Sequence, residues 1–150
     1  MAHLHDYGEE YMQKLAWNDT SIVKPETLQI GLYYTELDDL EESDNLDSIT
    51  SEPDNTQGYE RVTVNLDDDA DITIDTSGDD ATMVLRDINW DVEGNEEAVD
   101  AWFIVGEFQS EKAGDTEPSE NLLITGVTDI AQDLGQSNAI QIRNISLELT

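Results

Sequence analysis

Val99-Asp100-Ala101-Trp102-Phe103-Ile104-Val105-Gly106-Glu107-Phe108 is the stretch that decides the fold. Ala101 to Val105 are apolar without a break, two of them aromatic, in a chain otherwise crowded with carboxylates. A strand with one wet face would alternate polar and apolar residues, so an unbroken run reads as a strand buried on both faces. A membrane span would need about 20 apolar residues, which makes this run a core element. It predicts the central strand of a sheet-on-sheet core, with Gly106 admitting a close neighbour or marking a bulge.

On its N-terminal side, Leu28, Ile30 and Leu32 alternate with Gln29 and Gly31 and predict a strand ending at Tyr33-Tyr34. Tyr59 to Leu66 points Val62, Val64 and Leu66 inward and Arg61, Thr63 and Asn65 outward. Ile72 with Ile74, Met83 with Leu85, and Ile88 to Trp90 predict further short strands, separated by the acidic turns Asp67-Asp68-Asp69 and Gly78-Asp79-Asp80. On its C-terminal side come a polar loop, Gln109 to Glu120, a strand from Leu122 to Val127, and an irregular segment, Asp129 to Ser137. Alternation then runs through Ile140 and Ile142 and restarts one residue out of phase at Ile145, Leu147 and Leu149. That slip predicts a bulge or bend near Arg143-Asn144.

Two segments do not read as strands. His3 to Trp17 places Leu4, Tyr7, Tyr11, Met12, Leu15 and Ala16 at helical spacing, with Asp6 and Glu9 resembling a capping box. Gly8 weakens that helix by about 1 kcal/mol. Thr35 to Gln57 is rich in Asp, Glu, Ser and Asn, with Leu37, Leu40, Leu46 and Ile49 sparse within it. It predicts a long acidic loop tacked down at a few points, and loops of this length often carry function. The fold class expected is mainly β: a single antiparallel β-sandwich, jelly-roll or Ig-like, over residues 21–150, after a short N-terminal α-helix and turn over residues 1–20. One domain is the natural expectation for 150 residues.

Charge dominates the composition: 36 Asp and Glu against 6 Lys and Arg, a net of −30. At ordinary ionic strength the Debye length is about 8 Å, and such a surface repels itself; at molar salt it falls to about 3 Å and the repulsion fades. A lysine-poor acidic exterior around apolar strands therefore suggests a protein of brine. Nucleic-acid binding is disfavoured, because there is no basic stripe to displace phosphate counterions. There is no cysteine, hence no disulfide or thiolate metal site. Residues 1 to 20 carry Asp6, Glu9 and Glu10 and no apolar core of a signal peptide, so neither export by a cleaved leader nor a membrane partner is expected.

Catalytic signatures are missing from the sequence. His3 and His5 are the sole histidines, a pair on a frayed N-terminus that could bind metal weakly but reads more simply as inert. No Gly-x-Ser-x-Gly elbow, His-Glu-x-x-His helix or phosphate loop occurs. Carboxylate pairs are so common that none is informative, since acid–base work needs environments that push two pKa values apart. The reading is that of a non-enzyme without a cofactor. Asp67, Asp68, Asp69 and Asp71 cluster in one turn and could hold a hard cation, Ca²⁺ or Mg²⁺, although the spacing is not that of an EF-hand and a solvated turn is the simpler reading. Asn18-Asp19-Thr20 and Asn144-Ile145-Ser146 fit the glycosylation pattern. Trp90 and Trp102 read as core, and Tyr33, Tyr34 and Tyr59 flank the acidic loop, where exposed rings would suggest carbohydrate binding.

Leu4-His5-Asp6-Tyr7-Gly8-Glu9-Glu10-Tyr11, followed by Leu28-Gln29-Ile30-Gly31-Leu32-Tyr33, resembles small structural proteins of haloarchaeal tailed viruses and related phages. The likeness continues in the Asp/Ser-rich loop and in Gly58-Tyr59-Glu60-Arg61. It closes with Asn138-Ala139-Ile140-Gln141-Ile142 and Ile145-Ser146-Leu147-Glu148-Leu149, which resemble a two-part terminal strand. The Gly-Asp pair expected at the start of that strand is absent. The resemblance implies a virion protein, assembled in the host cytoplasm and exposed to high salt: a capsid decoration or turret subunit, or a tail or baseplate component. It would work as a homo-oligomer docked on other virion proteins such as the major capsid protein. A glycan-binding module of a halophile's surface is the other reading, and a hydrolase using scattered carboxylates a third. Unfolding followed against salt should show the protein loosening as KCl falls well below molar; stability independent of salt would refute the brine reading.

Overall fold

In the computed structural model of the chain, the described residues are 2–17, 26–55, 58–67, 70–78, 81–92, 97–136, 139–143 and 145–148. The elements in order are β1 (Ala2–Leu4), α1 (Asp6–Ala16), β2 (Thr27–Tyr33), β3 (Val62–Asn65), β4 (Ile72–Asp75), β5 (Thr82–Leu85), β6 (Ile88–Asp91), β7 (Ala98–Phe108), β8 (Ser119–Asp133), β9 (Ala139–Ile142) and β10 (Ser146–Glu148). The chain is mainly β, every strand pair among the described residues is antiparallel, and a helix lies near its N-terminus.

The apolar run is the middle of β7, which sits between β2 and β8 in a five-stranded sheet ordered β1-β8-β7-β2-β3. Alternation along it sends Trp102 and Ile104 to one face and Ala101, Phe103 and Val105 to the other, and all five are buried. The first face joins Leu28, Ile30, Leu32 and Ile124 of this sheet to Leu85, Ile88, Trp90, Ile140, Ile145 and Leu147 in one apolar cluster. Those partners lie in two smaller sheets, β10-β5-β4 and β6-β9, or, for Ile145, just before β10, so one side of the molecule packs sheet against sheet. Trp90 reaches across the gap and donates its indole N–H to the Ile30 carbonyl at 3.3 Å. The opposite face, with Tyr33 and Leu122, is covered by Leu40, Leu46 and Ile49 from the acidic loop. A loop thus does there what a second sheet does on the other side.

Close approaches explain two glycines of the large sheet. A Cβ on Gly126 would lie 2.2 Å from the Trp102 ring, and one on Gly31 would lie 2.3 Å from Phe103. These two rings of β7 each lie across the bare backbone of a paired residue, since Trp102 pairs with Gly126 and Phe103 with Gly31. The expected irregularity near Gly106 falls beside it. Val105 pairs with Leu122 and Ile104 with Ile124, which leaves Leu123 as an extra residue on β8. Leu123 and Ile124 consequently both enter the first-face cluster.

Three sequence readings require correction. The N-terminal helix starts at Asp6, and Ala2–Leu4 form an edge strand on β8. Its N-cap is His5, without a side-chain cap, so Asp6 and Glu9 do not form the capping box. The strand read as Leu122 to Val127 runs from Ser119 to Asp133, and a 3₁₀ turn at Leu134–Gln136 follows it. The C-terminal phase slip separates two strands in different sheets: β9 pairs with β6, and β10 pairs with β5.

Gly126→Ala should lower stability by about 1–3 kcal/mol, because the Trp102 ring has no room to retreat. Gly78, whose Cβ would meet nothing within 4 Å, should tolerate Ala within about 0.5 kcal/mol. Denaturation midpoints in molar salt measure both.

Candidate functional site

The acidic loop is the one long connection among the described elements, and Asp38, Asp44 and Glu52 tie it down while most of its other carboxylates face solvent. Asp38, nearly fully buried, accepts Thr50 Oγ1–H at 2.6 Å, the Thr50 N–H at 3.0 Å and the Ser51 N–H at 2.8 Å, with the Ser51 hydroxyl as a fourth donor. Burial pushes its pKa up, but these donors outweigh it and hold the carboxyl below the ordinary aspartate value. Asp44 accepts the Glu41 N–H at 2.7 Å, and Asn45 joins the loop to β8 by accepting the Leu122 N–H at 2.8 Å and donating to Asn121 Oδ1 at 2.7 Å. Thr35 is tied to Asp100 of β7 through its N–H and its hydroxyl.

At the far end of the loop Glu52 takes both nitrogens of a bidentate Arg61 at 2.7 Å and the Tyr59 hydroxyl at 3.0 Å. Tyr59 Oη in turn accepts the Leu32 N–H at 3.0 Å, and burial raises its phenol pKa strongly. The Arg61 guanidinium lies 5.2 Å from the Phe103 ring centre, closing the loop-covered face of the sheet. Two shallow grooves of about 630 and 440 Å³ flank Arg61; both are lined by Asn55, Glu60 and Arg61.

The acidic turn proposed for a cation is otherwise occupied where it is described. Asp71 accepts the Asn65 N–H at 2.9 Å and Arg86 Nε at 2.6 Å, and Arg86 also donates to the Thr63 carbonyl at 3.4 Å. The Asn65 N–H, then Arg86, hold the Asp71 carboxyl low, while partial burial opposes them. The pair thereby caps backbone groups of β3, an edge strand, which blunts pairing with a further strand. Asp67 donates its N–H to Asn65 Oδ1 at 3.1 Å, and Asp68 and Asp69 lie outside the described residues. Among the described residues no group of three or more His, Asp or Glu could hold a metal ion. Asn18 and Asn144 of the two glycosylation tripeptides also lie outside them.

Of the rings that could form a platform, Tyr33, Tyr59, Trp90 and Trp102 are buried and Tyr34 half-buried. Exposed large apolar side chains among the described residues are instead Leu15 on α1, Trp17 at its end, Leu37 in the loop, Ile74 on β4 and Val127 on β8. Leu37, expected to help tack the loop down, points to solvent. The described cations all contact carboxylates: Lys14 with Glu10, Arg61 with Glu52, Arg86 with Asp71, Lys112 with Asp6, and Arg143 with Asp87. No described helix is long and apolar enough to cross a membrane. Compared with known proteins, the chain matches no family model, no curated sequence and no solved structure.

Sequence reasoning missed Asp38, Glu52 and His5. Thr50-Ser51, two adjacent hydroxyl residues late in the loop, is the one local signal that a carboxylate is being capped there. Since Asp38 has a lowered pKa in the fold, its contribution is complete above the unfolded value of 3.8 and is lost as pH falls through the folded one. Asp38→Asn should therefore cost about 1.5–3 kcal/mol at neutral pH, the range for hydrogen bonds to a charged group. The gap to wild type should narrow as acid protonates Asp38. Urea unfolding at several pH values reads both.

Proposed function

We propose that this chain is a structural virion protein of a halophilic tailed virus: a capsid decoration or turret subunit that associates with itself and docks on the major capsid protein. The observation that carries the reading is where the residues resembling such proteins sit. Gly8 brings α1 against β8, where a Cβ would lie 2.3 Å from the Leu123 carbonyl oxygen. Gly31 makes room for Phe103, and Tyr59 and Arg61 bind Glu52 and lock the loop to the sheet. Residues used in this way maintain shape, which is what a lattice subunit must supply.

Charge supports the same reading. Every described cation is neutralised within the chain, so its surface presents carboxylate to the medium, a state that concentrated salt screens. Closed symmetric oligomers are the common form of such subunits, and a capped β3 edge would favour contacts through faces and loops over open-ended strand addition.

Cryo-microscopy and mass spectrometry of particles purified from the virus that encodes this sequence test the proposal. The expected result is this fold at symmetry-related positions on the head. Particles that lack the chain, or recombinant protein that binds a glycan array selectively, would overturn it.

A further inference from the structure

His5 occupies a junction of four elements. It follows β1, caps α1, lies against β8 and faces the acidic loop. Its backbone N–H donates to the Leu123 carbonyl at 2.9 Å, its carbonyl accepts the Glu9 N–H at 2.9 Å, and the next residue's N–H reaches the Glu42 carbonyl at 2.9 Å. The side chain is 1% exposed. Nε2 lies 2.9 Å from Thr125 Oγ1, and Nδ1 has no hydrogen-bond partner. Thr125 also lies close enough to the Tyr33 phenol to influence it, so the ring borders buried polar groups at the large sheet.

We propose that His5 is a protonation-sensitive latch, holding β1 and α1 on the large sheet while its imidazole is neutral and releasing them when it takes up a second proton. A neutral ring needs one partner and Thr125 supplies it. The imidazolium would bring a charge and a second N–H donor into a buried site where Nδ1 makes no hydrogen bond, the Asp44 and Glu42 backbones lying near it without closing one.

The groups around the ring set the direction. Burial is the largest influence and lowers the His5 pKa; His3, whose ring centre is 6.1 Å away, lowers it further. The backbones of Asp44 and Glu42 and the Asp44 carboxylate work in the opposite sense and do not prevail. Asp6 lies next in sequence but is paired with Lys112 at 2.9 Å, and Glu42 is 3.3 Å from His3. Beyond Thr125 the Tyr33 phenol stays protonated, its pKa raised by burial. β8 faces the ring with Thr125, which bears no charge. Because desolvation leads, molar salt leaves the effect in place where it would screen a surface pair. A base with a lowered folded pKa holds the native state fully above the unfolded value of 6.5 and progressively less below it, so the latch weakens in mildly acid medium.

The experiment is amide exchange by mass spectrometry on the full chain in molar KCl, from about pH 7.5 to about pH 5, with rates corrected for intrinsic exchange. The peptide spanning Ala2 to Trp17 should lose protection about tenfold while Phe103 to Val105 on β7 keep theirs, as local opening requires. His5→Gln should flatten that dependence, and His3→Gln should leave most of it. Independently of any variant, NMR of wild type should show the His5 ring titrating below the unfolded value of 6.5. Protection of Ala2 to Trp17 that does not change with pH, or a His5 ring that titrates at or above 6.5, would overturn the latch.

Discussion

The structure depends on one constraint: β7 is apolar on both faces, so both must be covered, and they are covered by different materials. Trp102 and Ile104 meet strands that carry their own apolar residues. Ala101, Phe103 and Val105 meet a loop dominated by acids, which contributes only Leu40, Leu46 and Ile49. Burial of a few apolar side chains is worth about 1.5–3 kcal/mol each and must offset the cost of ordering a long, mostly polar loop. The hydrogen bonds around Asp38, the Asn45 bonds to β8 and the Glu52–Arg61–Tyr59 group supply what the apolar contacts lack. Charge, which is abundant in this chain, is used where oil is scarce.

That division explains what could be read from the residues alone. The unbroken run Ala101–Val105 and the alternation of Leu28, Ile30 and Leu32 are direct images of a strand buried on two faces and its neighbour. The Ala2–Leu4 strand could not be separated from the helix, because Leu4, Tyr7 and Tyr11 fit helical spacing whether or not Leu4 is helical. The far half of β8, Thr128 to Asp133, carries too little apolar alternation to show itself as a strand. The slip between Ile142 and Ile145 was visible, but a bulge and a change of sheet leave the same mark in sequence.

The polar keystones were harder still. In a chain with 36 acids, Asp38 and Glu52 look like any other carboxylate until folding puts hydroxyls and a guanidinium beside them. His5 looks like half of a frayed terminal pair until β1 places it beneath the loop. Asp71 was legible as part of an acidic turn and not as the partner of Arg86, because that contact depends on the β4–β5 register, which carries on past Ile72 and Leu85 to set the two side by side. The one part of the surface chemistry that sequence did convey is its sign: few cations, and all the described ones held by carboxylates.

The central claim is that the acidic loop is a fixed layer of the fold. Residue-resolved amide exchange at neutral pH in molar KCl tests it most directly, at the Thr50, Ser51 and Leu122 N–H groups that donate to Asp38 and Asn45. The account predicts protection at these amides close to that of Phe103 and Ile104 at the centre of β7. Exchange near the rate of an unstructured chain at Thr50 and Ser51, with β7 still protected, would contradict it.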